Sequence, residues 1–99
     1  MLDGFTRSMS PLETLSPEEL ETIHAGGLFT LEKTGMRIEH DGALDLFESA
    51  GCRVDREEMR VRIPAWLAEE CLRLTPTSYL MRARDGRSDL MVGGDTLLF

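Results

Sequence analysis

No stretch of this sequence approaches the roughly 20 consecutive apolar residues that a membrane-spanning helix requires, so a function inside a bilayer is not expected. Basic residues are outnumbered: 11 Lys and Arg stand against 18 Asp and Glu, for a formal charge of -7. That sign opposes the counterion release that draws proteins onto nucleic acid, and it opposes adsorption to anionic lipid. Cysteine is scarce. Cys52 and Cys71 make no dense framework, and two thiols are expected rather than a disulfide. The opening Met1-Leu2-Asp3-Gly4-Phe5 has neither the basic region nor the apolar stretch of a secretory signal, which points to a cytoplasmic chain. A length of 99 residues suits one domain with one modest core, burying roughly 65% of the unfolded surface.

What is present is punctuation for helices and short strands. Residues 1–15, with Gly4, Ser8, Ser10 and Pro11 among Phe5, Met9 and Leu12, show no period and read as an irregular lead-in; residues 16–99 are the structured segment. Ser16 suits an N-cap, Pro17 the first helical position, and Glu19 completes a capping box, with Leu15 and Leu20 as a staple. Leu20, Ile23, Gly27, Leu28 and Leu31 follow at helical spacing, so that face is expected to be buried, and Gly35 supplies the stop. Gly26 and Gly27 sit inside this helix at a cost of about 1 kcal/mol each relative to Ala. A close contact from another element is expected against the backbone there.

Met36-Arg37-Ile38 is a short extended step. His40 or Asp41 begins a second helix through Ala43, Leu44, Leu46, Phe47 and Ala50, and Gly51 ends it. Cys52-Arg53-Val54 and Met59 to Ile63 alternate apolar and charged residues around the polar turn Asp55 to Glu58, the pattern of an antiparallel hairpin. Pro64 opens a third helix with Leu67, Cys71 and Leu74 on one stripe, closed by Thr75-Pro76. Ser78 to Arg84, Asp89 to Val92 and Thr96 to Phe99 read as strands joined by turns at Asp85-Gly86 and Gly93-Gly94-Asp95. The class is α+β, three helices with short antiparallel strands. Thr96-Leu97-Leu98-Phe99 has no turn, cap or polar tail after it, so a larger structure is expected to continue past Phe99.

The order of these blocks is itself informative. Leu15-Ser16-Pro17-Glu18-Glu19-Leu20 through His24, Leu31-Glu32-Lys33-Thr34-Gly35-Met36-Arg37-Ile38, and Ala43 through Asp55 with Ala50-Gly51-Cys52-Arg53-Val54 resemble the opening of the trimethylamine methyltransferase family. Val61-Arg62-Ile63-Pro64, the helix through Leu74, the Thr75-Pro76 break, Tyr79 to Asp85, and Asp89-Leu90 with Gly93-Gly94 continue in the family's order. The resemblance runs from about Leu15 to Phe99, and the Gly26-Gly27 pair departs from the helix formers usual at that point. It implies a cytoplasmic enzyme, a homo-oligomer when full length, whose main body is a TIM-type barrel. Such an enzyme moves a methyl group from a methylated amine to the cobalt of a corrinoid (cobalamin) carried on a partner protein. The amine is trimethylamine in the pyrrolysine-containing branch and a quaternary amine such as glycine betaine in others. Barrel active sites are built from loops after successive strands, so the resemblance implies no catalytic, cofactor-binding or metal residue within these 99 positions. The competing expectation is a free-standing acidic α+β module that docks a protein partner.

Side chains with chemistry of their own are few. His24, His40, Cys52 and Cys71 are able to bind zinc, but they form no Cys-x-x-Cys and no close His pair. His24 reads as a helix-face histidine, and Cys71, between Leu67 and Leu74, as a small buried thiol. Glu18-Glu19, Glu57-Glu58 and Glu69-Glu70 fall on a helix start, a turn and a solvated face. Gly93-Gly94-Asp95 precedes a strand rather than a helix, so it reads as a hairpin turn and not a phosphate cradle. Trp66, with Met59, Met81 and Met91, is expected to form an exposed apolar patch that serves as an interface.

Overall fold

The structure, a computed structural model, describes residues 3–98. In chain order it contains β1 (Phe5–Thr6), α1 (Pro17–Lys33), β2 (Met36–Arg37), α2 (Asp41–Ser49), β3 (Arg53–Asp55), β4 (Arg60–Arg62), α3 (Ala65–Leu74), β5 (Ser78–Met81), β6 (Leu90–Gly93) and β7 (Thr96–Leu97). The fold is α+β, with three helices and short antiparallel sheets. Two compact units emerge: residues 14–74 form one, and residues 3–13 with 75–98 form the other.

In the unit of residues 14–74, local chemistry sets the helix ends. The Ser16 hydroxyl accepts from the Glu19 amide at 3.2 Å while the Glu19 carboxylate accepts from the Ser16 amide at 2.8 Å, the reciprocal box that satisfies two orphan donors. The α1 C-terminus is finished by β4. Arg60 donates to the Thr34 carbonyl at 2.9 Å, Arg62 Nε to the Lys33 carbonyl at 3.1 Å, and the Ile63 amide to the Leu31 carbonyl at 3.0 Å. Two guanidinium charges thus sit where the helix dipole is negative. Gly35 makes this approach possible. Its φ of +75° lies in the left-handed region, and a Cβ there would collide with the Val61 carbonyl oxygen.

α2 begins at His40, whose Nδ1 accepts from the Ala43 amide at 3.1 Å. It ends with the Gly51 amide bonded to the Glu48 carbonyl (3.1 Å) and the Cys52 amide to that of Phe47 (3.0 Å), the paired bonds of a Schellman ending. The chain then enters the β3–β4 hairpin, with Val54 opposite Val61. Asp55 Oδ1 holds the turn by accepting from the amides of Glu57 and Glu58 at 3.0 and 3.2 Å. β2 adds to the other edge of β4, giving the order β2-β4-β3. Leu44, Cys52 and Val61 are the buried core, ringed by Ile38, Phe47, Val54, Met59, Ile63 and Leu67. Helix α2 and the sheet therefore supply the dry centre.

α1 contributes less than its periodicity predicts. Leu28 and Leu31 are half-buried, whereas Leu20 and Ile23 are 54% and 61% exposed. The expectation of a buried face holds only for its C-terminal half, where Leu28 and Leu31 face Leu67 and Ala68 of α3 across a groove and the Ile63 amide bonds the Leu31 carbonyl. Among the described residues the contact expected at Gly26 and Gly27 is absent too: a Cβ built at either would meet nothing within 4 Å. α3 starts after Pro64 and stops before Thr75-Pro76, as its punctuation predicts, but Cys71 is exposed rather than buried, and Leu74 is 66% exposed.

The second unit is built of two-stranded pairs. β5 and β6 are antiparallel with Tyr79 opposite Val92 and Leu80 opposite Met91. The strand predicted to reach Arg84 ends at Met81, because the Asp89 carboxylate takes the Ala83 amide at 2.7 Å in place of a ladder bond. At Gly93, φ is +105° and a Cβ would collide with the Thr77 carbonyl oxygen. Residues 93–95 do turn the chain, but among the described residues β7 pairs with β1, not β6, with Phe5 opposite Leu97. Two residues of lead-in thus become a strand that no periodicity announces. The Arg7 amide donates to the Asp95 carbonyl at 2.8 Å, and the Arg7 guanidinium pairs with the Asp95 carboxylate. Phe99, assigned to the last strand from sequence, lies outside the described residues.

Candidate functional site

A concavity lies between α1 and α3. Ridges of two helices meet at axial separations of about 8–10 Å when medium side chains fill the seam, but small residues here leave it unfilled. α1 contributes Gly27, Leu28 and Leu31, and α3 contributes Leu67, Ala68, Cys71 and Leu72; Phe47 and Ile63 close the floor. The groove has a volume of about 640 Å³. Its polar groups are largely spent on structure. Thr30 Oγ1 donates back to the Gly26 carbonyl at 2.9 Å, and His24 Nε2 sits 2.9 Å from Glu69 Oε1, tying α1 to α3 at the rim. The lining is predominantly apolar, which suits it to apolar recognition.

Each residue singled out from sequence finds a definite place. His24 is on the groove rim, as its helix-face reading predicts, with Glu69 as a partner no local pattern reveals. His40 caps α2. Cys52 is buried in the core, and burial, reinforced by nearby Cys71, raises its thiol pKa. Among the described residues no three His, Cys, Asp or Glu side chains gather about a common point where a metal ion would fit. The acidic pairs are structural: Glu19 closes the capping box, Glu58 pairs with Arg60, and Glu70 pairs with Arg73 at 2.6 Å, which lowers the Glu70 pKa. Of the residues assigned to an apolar patch, Trp66 is 62% exposed, Met59 packs against the core of its own unit, and Met81 and Met91 lie in the other unit, 47% and 36% exposed.

Sequence reasoning missed the arginines. Arg56 reaches from the hairpin turn to Asp45 at 2.7 Å and Glu48 at 2.6 Å, clamping β3–β4 to α2, and those hydrogen bonds raise its pKa. The alternating pattern marked Arg60 and Arg62 only as the wet side of a strand. Their use as caps depends on a helix end 26 and 29 residues away. The groove had one visible signal, the Gly26-Gly27 pair.

Among the described residues no helix is long and apolar enough to cross a membrane. Compared with known proteins, residues 1–99 match the family described as trimethylamine methyltransferase (MTTB). The trimethylamine methyltransferase MttB of Desulfitobacterium hafniense (strain DSM 10664 / DCB-2) is 36% identical over 88 residues, covering 89% of this chain and 18% of that protein. The MttB of Methanosarcina thermophila is 31% identical over 74 residues, 75% of this chain and 15% of its own length. A glycine betaine methyltransferase of Desulfitobacterium hafniense (strain Y51) is 28% identical over 85 residues, 86% of this chain and 17% of that protein. The chain thus spans under a fifth of the length of these relatives.

Proposed function

Because this chain belongs to the trimethylamine methyltransferase family, we propose that it is the N-terminal segment of a methyltransferase acting on a methylated amine, with a corrinoid on a partner protein as methyl acceptor. The observation that carries the reading is the family match over all 99 residues. Relatives named for trimethylamine and for glycine betaine keep both amines in scope. On this reading the chemistry belongs to a TIM-type barrel body, and the present segment is a packing element. Its two imidazoles have structural roles, His24 paired with Glu69 and His40 as a helix cap.

The test joins this chain, in place of the matched segment, to the remainder of the Desulfitobacterium MttB relative. Methylation of a corrinoid protein is then followed by its visible spectrum with trimethylamine or glycine betaine as donor. Transfer from one of the two is expected. A joined protein that folds and retains the corrinoid partner yet demethylates neither amine would sink the proposal. The open groove and exposed Trp66 favour a second reading, an acidic module that docks a partner by itself. That reading requires the 99-residue chain to bind another protein with its groove free of any covalently continuous body.

A further inference from the structure

The groove between α1 and α3 has the attributes of a helix seat that the described residues leave without an occupant. Gly26 and Gly27 lower the intrinsic helicity of α1, yet inside this chain they give nothing back, since the space above both is empty to 4 Å. Paired glycines in the middle of a helix are useful when a second backbone must come closer than a Cβ permits. Leu72 of α3 lines the groove yet is 56% exposed, and Leu20 and Ile23, earlier in α1, are exposed as well. His24 to Leu31, the stretch of α1 lining the groove, is about 10 Å long at 1.5 Å per residue, which matches two turns of an incoming helix.

Charge and length identify the occupant. α1 and α3 carry Glu18, Glu19, Glu21, Glu32, Glu69 and Glu70 against Lys33 and Arg73, so a second copy would bring acidic helices face to face. A partner helix with Lys or Arg beside its apolar face meets no such repulsion. The relatives possess more than four-fifths of their length beyond the stretch matched here, ample to supply one. We propose that this groove seats an amphipathic helix with basic flanks, belonging to the body of the methyltransferase polypeptide, whose backbone passes over Gly26 and Gly27. The proposal rests on the family reading above and adds to it the point of attachment.

Cys71 lines the groove and is exposed, while Cys52 is buried, so the maleimide labelling rate of Cys71 reports cover. In the joined protein, Cys71 is expected to react roughly tenfold or more slowly than in the 99-residue chain, and Gly27→Gln to restore its rate. In the unjoined chain, Gly26→Ala and Gly27→Ala are expected to raise Tm by about 4 °C or more each, since they gain helicity without a clash. Equal Cys71 rates in the two proteins overturn the proposal, as does a lower Tm for the alanine variants. Slow labelling already present in the unjoined chain also overturns it, and sedimentation then tells a second copy from cover by the chain's own strands. A joined protein that melts without cooperativity counts against the fit of groove and body. Methyl transfer, assayed on the same protein, is a separate readout: protection without transfer overturns only the functional reading.

Discussion

The two units bury apolar side chains by different means. Residues 14–74 stack α2 on a three-stranded sheet and enclose Leu44, Cys52 and Val61. The strands of residues 3–13 and 75–98 pair two by two, and none of their described residues is buried. Two-stranded ribbons have no second layer, so they lean on turns and side-chain hydrogen bonds. Asp85 shows this: its carboxylate accepts from the amides of Arg87 and Ser88 and from the Ser88 hydroxyl, and those bonds hold its pKa low. Charge divides in the same way. Residues 14–74 hold 13 of the 18 acidic and 7 of the 11 basic residues, so nearly all of the net negative charge accompanies the layered unit and its open groove.

Truncating the core tests that contrast most severely. Leu44→Ala is expected to cost about 2–5 kcal/mol, the range for fully buried leucines, whereas Leu80→Ala, at a site 36% exposed, is expected to cost under about 1 kcal/mol. Urea unfolding measures both, and equal losses would erase the distinction between the units. Next come the glycines that touch a neighbouring carbonyl. Gly35→Ala should destabilise residues 14–74 by about 2–4 kcal/mol, through its positive φ and its overlap with Val61. Gly93→Ala should instead loosen residues 78–81 and 90–93, with amide exchange at Val61 unchanged; faster exchange at Val61 would show the units to be coupled.

The thiols sharpen the comparison within one unit. Cys71 should be alkylated first, and Cys52 only when residues 14–74 open, because burial raises its pKa and denies access. A raised thiol pKa means the folded state holds its proton more tightly. The stability it brings is complete below the ordinary thiol range near ~8.5 and is lost as pH rises through the folded value, so Cys52→Ala should flatten the alkaline limb of a stability profile. The smallest effect is on the acid side. Asp85 has a depressed pKa, so its contribution is complete above the ordinary Asp value near ~3.9 and is lost as pH falls through the lower folded value. Exchange at the Arg87 and Ser88 amides should accelerate there, and Asp85→Asn should remove most of that dependence.

What was legible from sequence was local. Ser16 with Glu19, the ending at Gly51 and the Asp55 turn act across five residues or fewer, so their spacing announced them, and it narrowed the α2 start to His40 or Asp41, of which His40 is the cap. The β2–β4 pairing, the Arg60 and Arg62 caps, the His24–Glu69 pair and the β1–β7 pairing join residues far apart in the chain. No local period encodes them. The apolar stripe of α1 misled for a related reason: periodicity reports which face wants cover, not whether these residues provide it.

The seam between Phe5 and Leu97 also fixes an order of events. It closes nearly the whole chain into one loop, and loop-closure entropy rises with the number of free residues enclosed. If residues 14–74 are already compact, most of that loop has been taken up before the seam forms. Folding should therefore run from the inside outward: pulse-labelled exchange would register Val61 before Phe5, and the reverse order would mean that the ends find each other unaided. The ribbon that joins Phe5–Thr6 to Thr96–Leu97 is then a latch, closed last and opened first.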